Sequence, residues 1–430
     1  MKNKKRNTGF VYQCVNCGKQ FDEHEALYLC PQCTKSNQPS EPPKGVLKTI
    51  YDYKNLNLAA PSKPVSLWKK PANIWKIYQQ IKDRFVDLLP IKNMESLPNL
   101  RIGNTPLYSI DKLDNTKLTF QLFLKDDTQN PTSSLKDRAS AVVSAYAKEK
   151  GFDTIITAST GNAGSSLAGI CASQGQKAII IVPETAPLAK LTQIIMYGAT
   201  IVTVKGTYDD AYDLSIKATE EFGWYNRNTA FNPLTIEGKK TVAFELYEQL
   251  NFTIPDKIFV PVGDGVIISG LYKGYEDLLM LNIIEKMPTI VAVQSKGSDN
   301  LVRNLQNKLF HIEPSATIAD SISVDIPRNF YMTQQFLQTY NGESLTVSDD
   351  EILMASAILA RNTGLFAEPA AAAAFAGFLS YHNSNKLPDD SDNVVLITGS
   401  GLKDLKAVNT RMEIPKSIKP SIEELKKIMQ

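Results

Sequence analysis

An excess of charge of one sign is missing from this chain. Its 430 residues hold 47 Lys and Arg against 45 Asp and Glu, a formal net charge of +2. No long-range field therefore exists for holding nucleic acid or an anionic membrane, and a small molecule is the expected partner. Long hydrophobic runs are missing too: the longest candidate, Ala367 to Leu379, is interrupted by Glu368 and Pro369 and falls short of the ~20 apolar residues that span a bilayer. Four cations (Lys2, Lys4, Lys5 and Arg6) precede Val11 with no apolar run behind them, so no secretory signal is expected and the expected address is cytoplasmic. Cysteine is scarce, and five residues in a chain of this length do not make a disulfide scaffold. With 43% hydrophobic and 21% charged residues, disorder is excluded as the main state, and at ~150 residues per domain the length suits two or three domains.

Four of the five cysteines form two tight pairs, Cys14-Val-Asn-Cys17 and Cys30-Pro-Gln-Cys33, with twelve residues between them and Gly18 directly after the first. This is the spacing of a zinc ribbon. Each C-x-x-C turn presents two thiolates to one tetrahedral ion, and four sulfurs close the shell without leaving a position for substrate, so the metal expected is a structural Zn2+. The alternative is a degenerate ribbon of metal-free thiols. His24, between the pairs, reads as a surface residue, and Cys171, in the apolar stretch Leu167 to Ala172, as a small core residue. Ser36 to Lys44 (SNQPSEPPK) reads as a linker.

Further on, short β-branched or apolar runs alternate with helical stretches. The strands expected are Leu118 to Lys125, Thr154 to Ala158, Ala178 to Val182, Thr200 to Val204, Lys257 to Val262, Thr289 to Gln294 and Asn393 to Thr398. Helices are expected at Asp137 to Lys150, Asn162 to Gln174, Ala186 to Tyr197, Tyr208 to Phe222 and Gly238 to Gln249. Such alternation predicts an α/β fold of open, mostly parallel sheets, and runs apolar throughout predict strands covered on both faces.

Three turns at strand ends carry small or polar residues: Ala158-Ser-Thr-Gly-Asn-Ala-Gly-Ser165, Pro261-Val-Gly-Asp-Gly-Val-Ile-Ile-Ser-Gly270 and Thr398-Gly-Ser-Gly401. Amides exposed at a helix start bind phosphate without help from arginine, so together the turns point to a phosphate-bearing cofactor in a strand-end crevice. Lys136, within Lys125-Asp-Asp-Thr-Gln-Asn-Pro-Thr-Ser-Ser-Leu-Lys-Asp-Arg138, lies just inside a helix start, where the dipole disfavours its cation. A neutral amine there can form a Schiff base, although position alone reads equally as a surface lysine.

These motifs, with Gly103-Asn-Thr-Pro-Leu107, Glu237-Gly-Lys-Lys-Thr-Val-Ala-Phe-Glu245, Tyr272-Lys-Gly-Tyr275 and Thr398-Gly-Ser-Gly-Leu-Lys-Asp404, cover roughly residues 100 to 405. They resemble the threonine synthase family of fold-type II pyridoxal-phosphate enzymes, some of which carry a ribbon ahead of the catalytic part. The resemblance implies two open, mostly parallel-sheet domains of the tryptophan-synthase-beta-like kind after a small zinc ribbon. Residues 1–45 would be ribbon and linker, 46–125 plus 250–430 a large cofactor-binding domain, and 126–249 a smaller α/β domain carrying the Asn162 turn.

The resemblance also implies roles. Lys136 would attach pyridoxal 5'-phosphate and later move the substrate's α-proton. Asn162 would bond the cofactor's phenolic oxygen, the amides of Gly263, Asp264, Gly265, Val266 and Ile267 its phosphate, and Thr398 its pyridine nitrogen. Ser159 and Thr160 would hold the carboxylate of an amino-acid substrate. The family default is a lyase converting O-phosphohomoserine and water to threonine and phosphate, in a cytoplasmic homodimer without nucleic-acid or membrane partners. Departures lie at the distal phosphate, where the family's serine, arginine and turn asparagine become Ala230, Thr235 and Asp264. Two readings of Lys239 stand, a replacement anion ligand or a solvated helix lysine. If the distal site is altered, β-replacement or β-elimination on a serine-like substrate, as in cysteate synthases or threonine dehydratases, becomes the alternative.

Overall fold

A computed structural model of the protein describes residues 9–25, 28–54, 56, 85–409 and 417–429, arranged around three sheets. Strands β1 (Phe10–Cys14), β2 (Gln20–Phe21) and β3 (Leu47–Tyr51) form an antiparallel sheet, in order β2-β1-β3. Next come the antiparallel neighbours β4 (Leu107–Leu113) and β5 (Thr116–Asp126). A four-stranded parallel sheet follows, built from β6 (Thr154–Ala158), β7 (Lys177–Pro183), β8 (Thr200–Val204) and β9 (Tyr225–Asn226) in order β8-β7-β6-β9. The chain then adds β10 (Lys257–Pro261), β11 (Thr289–Ser295), β12 (Glu343–Val347) and β13 (Asp392–Ile397). These join β4 and β5 in a six-stranded sheet ordered β12-β11-β10-β13-β5-β4, parallel except at β4.

Period-two alternation sorts the strand residues between faces. Ile258, Val260, Ile290, Ala292, Val394 and Leu396 enter one apolar cluster, while their neighbours Phe259, Val291, Val293, Val395 and Ile397 enter another on the opposite face. The four-stranded sheet behaves likewise, with Ile155, Ile180 and Val182 on one side and Ile156, Ala158 and Ile181 on the other. Helices cover these faces: α1 (Lys136–Glu149), α2 (Asn162–Gln174), α3 (Leu188–Met196), α4 (Tyr208–Phe222), α5 (Leu234–Lys239), α6 (Thr241–Gln249), α7 (Val266–Met280), α8 (Asp349–Thr363) and α9 (Pro369–Asn383). The alanine-rich start of α9 is buried against β10, β11 and β13. Among the described residues no helix is long and apolar enough to cross a membrane.

Two local expectations change. Gly238 to Gln249 is two helices, α5 and α6, broken at Lys240, whose amine is drawn to Glu237 at 2.5 Å and Asp277 at 2.8 Å. Gly238 itself permits close approach, since a Cβ there would lie 2.2 Å from the Arg138 carbonyl oxygen of α1. The stretch read as a linker is instead a loop that returns β3 to the ribbon sheet, clasped where Lys44 N donates to Asn37 Oδ1 at 2.8 Å. Residues 57–84, in the tract left unassigned from sequence, lie outside the described residues.

The first turn of α1 is anchored by Arg138. Its guanidinium meets Asp127 through Nε at 2.6 Å and Nη2 at 2.8 Å, and Glu245 through Nη1 at 2.6 Å and Nη2 at 2.8 Å. Lys125 donates to the same Glu245 at 2.7 Å. Removing one partner from a buried pair leaves the other charge uncompensated. Arg138→Met, which keeps the stem and deletes the fork, is therefore expected to lower the unfolding free energy by ~3–5 kcal/mol, read from the denaturant midpoint. A loss below about 1 kcal/mol, typical of exposed pairs, would contradict a buried clamp.

Candidate active site

Ends of parallel strands from both larger sheets face a cavity of about 590 Å³. Lys136 lines it from the start of α1, Ser159, Thr160 and Asn162 from the turn after β6, Gly263 to Ile267 from the turn after β10, and Lys239 from the end of α5. These sequence-predicted positions are thus brought together. Thr398 lies behind this wall at the end of β13, where its carbonyl accepts from Leu135 N at 2.9 Å, one residue before Lys136. Ser400 N donates to Ser133 O at 3.1 Å, so the Thr398 turn and the loop leading to Lys136 are laced together.

Lys136 is half-buried, and the protein packed around its amine lowers its ammonium from 10.5 to about 8. Glu368 opposes that shift and Arg227 adds to it. Asn162 is fixed by donating from Nδ2 to Glu368 Oε1 at 2.8 Å. The Glu368 carboxyl is pushed up by burial and held partly down by Lys136. In the turn after β10, Gly265 has φ +86°, and a Cβ there would lie 2.2 Å from Thr333 Oγ1, which leaves room for glycine alone. The turn runs into the first turn of α7, whose leading amides have no intrahelical acceptor. Asp264 is not a loose anion: its Oδ1 accepts from Arg328 N at 3.2 Å and its carbonyl from Asn329 N at 3.0 Å.

The solvated reading of Lys239 is excluded. The residue is 1% exposed, and its Nζ has no hydrogen-bond partner among the described residues. Burial pulls this amine well below the usual lysine range, with Lys136 and Arg227 pulling the same way and Asp264 opposing. Arg227 is fully buried: Nε donates to Ser140 Oγ at 3.2 Å and Nη1 to Thr229 Oγ1 at 2.9 Å, while Nη2 is unpaired. Burial lowers it to about 10.

Sequence reasoning missed Arg227, Glu368 and Arg328. Arg227 follows β9, a strand too short to have an apolar run, although the flanking Asn226 and Asn228 beside the Thr229 motif were a usable signal. Glu368 was visible only as an acid interrupting an apolar stretch. Arg328, on the cavity wall, pairs with Asp209 and lies 4.1 Å over the Tyr212 ring, a pairing across 119 residues with no local pattern.

Away from the cavity, the Sγ atoms of Cys14, Cys17, Cys30 and Cys33 all lie within 4.8 Å of one another, with Cys14 to Cys33 at 3.7 Å and Cys17 to Cys30 at 3.9 Å. His24 is exposed and Cys171 is buried, as expected.

A family model described as pyridoxal-phosphate dependent enzyme matches residues 99–399. The chain is 33% identical over 424 residues to a threonine synthase of Methanocaldococcus jannaschii, covering 98% of this chain and 99% of that protein. It is 30% identical over 418 residues to a threonine synthase of Methanosarcina acetivorans, covering 96% and 97%. Among solved structures, the processed form of threonine deaminase isoform 2 from Solanum lycopersicum superposes with a TM-score of 0.64 at 21% identity, covering 83% of this chain and 98% of that one, which speaks to the fold.

The lowered Lys136 value has a direct consequence. Above its pKa the amine is neutral and nucleophilic, below it protonated and inert. In cofactor-free protein, the rate at which Lys136 condenses with an aldehyde, followed by reductive trapping and peptide mapping, should rise with pH through a midpoint near 8. A midpoint at the ordinary lysine value, about 10.4, would mean that the amine is solvated.

Proposed function

The chain belongs to the family of pyridoxal-phosphate dependent enzymes, as a lyase related to the threonine synthases, and we propose that it converts O-phosphohomoserine and water to threonine and phosphate. The observation that carries the substrate choice is a pair of buried cationic side chains with nitrogens left unpaired among the described residues, Lys239 Nζ on the cavity wall and Nη2 of Arg227, whose other two nitrogens are taken by Ser140 and Thr229. Burying a cation without a counter-charge is costly, so the pair is understandable if an anion completes it. A carboxylate end alone is already served by the Ser159 turn.

The residues fit the cofactor. A desolvated lysine opens a helix at the cavity, and a glycine turn presents amides where a phosphate can approach. When bound, pyridoxal phosphate supplies an electron sink for charge developing beside the amino acid's nitrogen. Lys136 would hold the cofactor and would carry the α-proton, which its lowered pKa allows near neutral pH. Asn162, fixed by Glu368, addresses the phenolic oxygen. The amides of Gly263 to Ile267 would hold the cofactor phosphate, and the Thr398 hydroxyl would serve the ring nitrogen. A hydroxyl cannot keep that nitrogen protonated as a carboxylate would, which suits elimination and replacement better than transamination. Ser159, Thr160 and the amides beside them hold the substrate carboxylate, while Lys239 and Arg227 hold the distal phosphate. That phosphate would leave from Cγ as a proton leaves Cβ, opening a carbon–carbon double bond; water would then deliver its hydroxyl to Cβ and its proton to Cγ, and the proton from Cβ would depart with the phosphate.

A second reading, β-replacement or β-elimination on a serine-like substrate, draws on Thr235 and Asp264, which stand where the family has arginine and asparagine. Product analysis with O-phosphohomoserine, threonine, O-phosphoserine and serine separates the two. Threonine should form from the first, and Lys239→Ala should raise its KM more than about tenfold, or 1.4 kcal/mol. Turnover of serine alone would overturn the assignment. Borohydride reduction of the loaded enzyme should leave the pyridoxyl label on Lys136.

The ribbon thiols hold one structural zinc. For Zn–S bonds of 2.3 Å a tetrahedron has edges of about 3.8 Å, close to the two Sγ separations above. Elemental analysis should give one zinc per chain, lost in a Cys14→Ser, Cys33→Ser variant; an absence of zinc from protein grown with the metal would refute the site.

A further inference from the structure

The ribbon packs on the catalytic body through Tyr12 and Phe21, which share a core with Val142, Tyr146 and Tyr225, and through Glu23, which pairs with Lys150; its strand β3 makes a separate, polar link. β3 pairs with β1 from Phe10 opposite Tyr51 to Cys14 opposite Leu47. From that strand the Tyr51 hydroxyl donates to Glu237 Oε2 at 2.5 Å, and just beyond it Tyr53 donates to Asp277 Oδ1 at 2.7 Å. Lys240 Nζ bridges the two carboxylates, at 2.5 Å to Glu237 and 2.8 Å to Asp277, and Lys273 pairs with Asp277. Glu237, Lys240, Lys273 and Asp277 are buried, two cations against two anions. Lys240 Nζ also stands 4.3 Å over the Tyr51 ring. The other Glu237 oxygen, Oε1, has no partner among the described residues, so the grip on this carboxylate passes through Oε2.

Helical phase decides what this network does. At about 100° per residue, Glu237 and Lys239 of α5 point about 200° apart, whereas Lys240 returns to within about 60° of Glu237. α5 therefore has one face bolted to β3 and α7 and an opposite face carrying Lys239 into the cavity. α5 has six residues, and its axial rotation decides where the Lys239 amine ends.

We propose that Tyr51 is a positioning residue for Lys239: by holding Glu237 it sets the rotation of α5, so the ribbon sheet helps to aim the amine that receives the distal anion. This rests on the reading of Lys239 as an anion ligand given above. Tyr51 touches neither cofactor nor substrate. Its effect is on the affinity for an anion, not on the chemistry at Lys136.

The test uses cofactor-loaded, full-length enzyme with inorganic phosphate as the probe, read as a dissociation constant from competitive inhibition and from perturbation of the cofactor absorbance. Tyr51→Phe removes only the hydroxyl. It should weaken phosphate about three- to tenfold and raise KM for the phosphorylated substrate by a similar factor, with kcat and the unliganded cofactor spectrum unchanged. Lys48→Met removes a bond from the same strand, 3.1 Å to Glu276, without touching α5, and should leave phosphate affinity as it was. In a Lys239→Ala background, Tyr51→Phe should have no further effect on phosphate. Glu237→Gln serves if Tyr51→Phe yields no folded enzyme, with the same expectation. Unchanged phosphate affinity in Tyr51→Phe, together with a loss in Lys239→Ala, would overturn the positioning role while sparing the function. Unchanged affinity in both would overturn the role and the anion reading together. Equal loss in Tyr51→Phe and Lys48→Met would reduce Tyr51 to general stability and overturn it as well.

Discussion

A single guanidinium decides where Lys136 stands. Arg138 follows Lys136 by two residues and is gripped by Asp127, just after β5, and by Glu245, on α6, while Lys125 of β5 shares the second carboxylate. Two cations and two anions make a neutral cluster. The Glu245 carboxyl is held far below its ordinary range by Arg138 and Lys125 against burial that would raise it. Burying such a cluster is a poor source of stability, because the desolvation cost offsets much of the Coulombic gain. Its geometry is another matter. A planar fork meeting two carboxylates has one orientation, and that orientation fixes the first turn of α1 against β5 and α6. The cavity position of Lys136 follows.

Neutrality in that clamp contrasts with the imbalance a few residues away. Lys136 and Lys239 line the cavity and Arg227 is buried; Arg227 lowers the proton affinity of both lysine amines and Lys136 that of Lys239, with Asp264 opposing at both and Glu368 at Lys136. Like charges held together and only partly offset by acids strain the unliganded fold. A ligand that brings its own negative charge relieves the strain, and at a hundred times its dissociation constant such a ligand adds about 2.7 kcal/mol of stability by mass action alone. On the proposed reading, stability given up at the site in the empty state would favour an anion in the bound one. Arg138 and Lys239 are both buried cations on helices, and the difference between clamp and site is whether carboxylates were supplied.

Features written locally were legible in the sequence. Strands such as Thr154 to Ala158 declare themselves because both sheet faces are covered, and the four ribbon cysteines because two short C-x-x-C turns bring their thiols together. The glycine turn at Gly263 to Gly265 is legible because a positive φ and a crowded Cβ leave no other residue. What escaped depends on chain segments distant in sequence. Nothing near Tyr51 hints that its hydroxyl ends on Glu237, 186 residues away. The break at Lys240 is likewise invisible, since its sequence is a good helix former and only the pull of Glu237 and Asp277 turns it inward. β12, half-buried and carrying Glu343 and Ser344, lacks the apolar run that marked its neighbours. Arg227 and Glu368 were passed over because an isolated charge near an apolar stretch reads as a solvated break until the fold shows it buried.

On the proposed reading, the same reasoning accounts for how the chain can differ from its family around α5 without losing a cation there. Position 235, threonine here, lies on α5 with Lys239 four residues later, so both fall on one face of the helix, a single turn apart. Thr235 is buried, and its hydroxyl is occupied in donating to Asn232 O at 2.8 Å. A charge absent from the first turn of α5 is present at its last residue, and Arg227 adds a second from the segment before the helix. Moving a cation one turn along a face shifts it by about 5.4 Å, roughly the reach of a lysine stem, so a longer or shorter side chain can deliver charge to the same point in space. What must be conserved physically is the position of the charge and the dryness around it. The position along the chain can drift, provided that the opposite face of α5 remains held by Glu237 and Lys240.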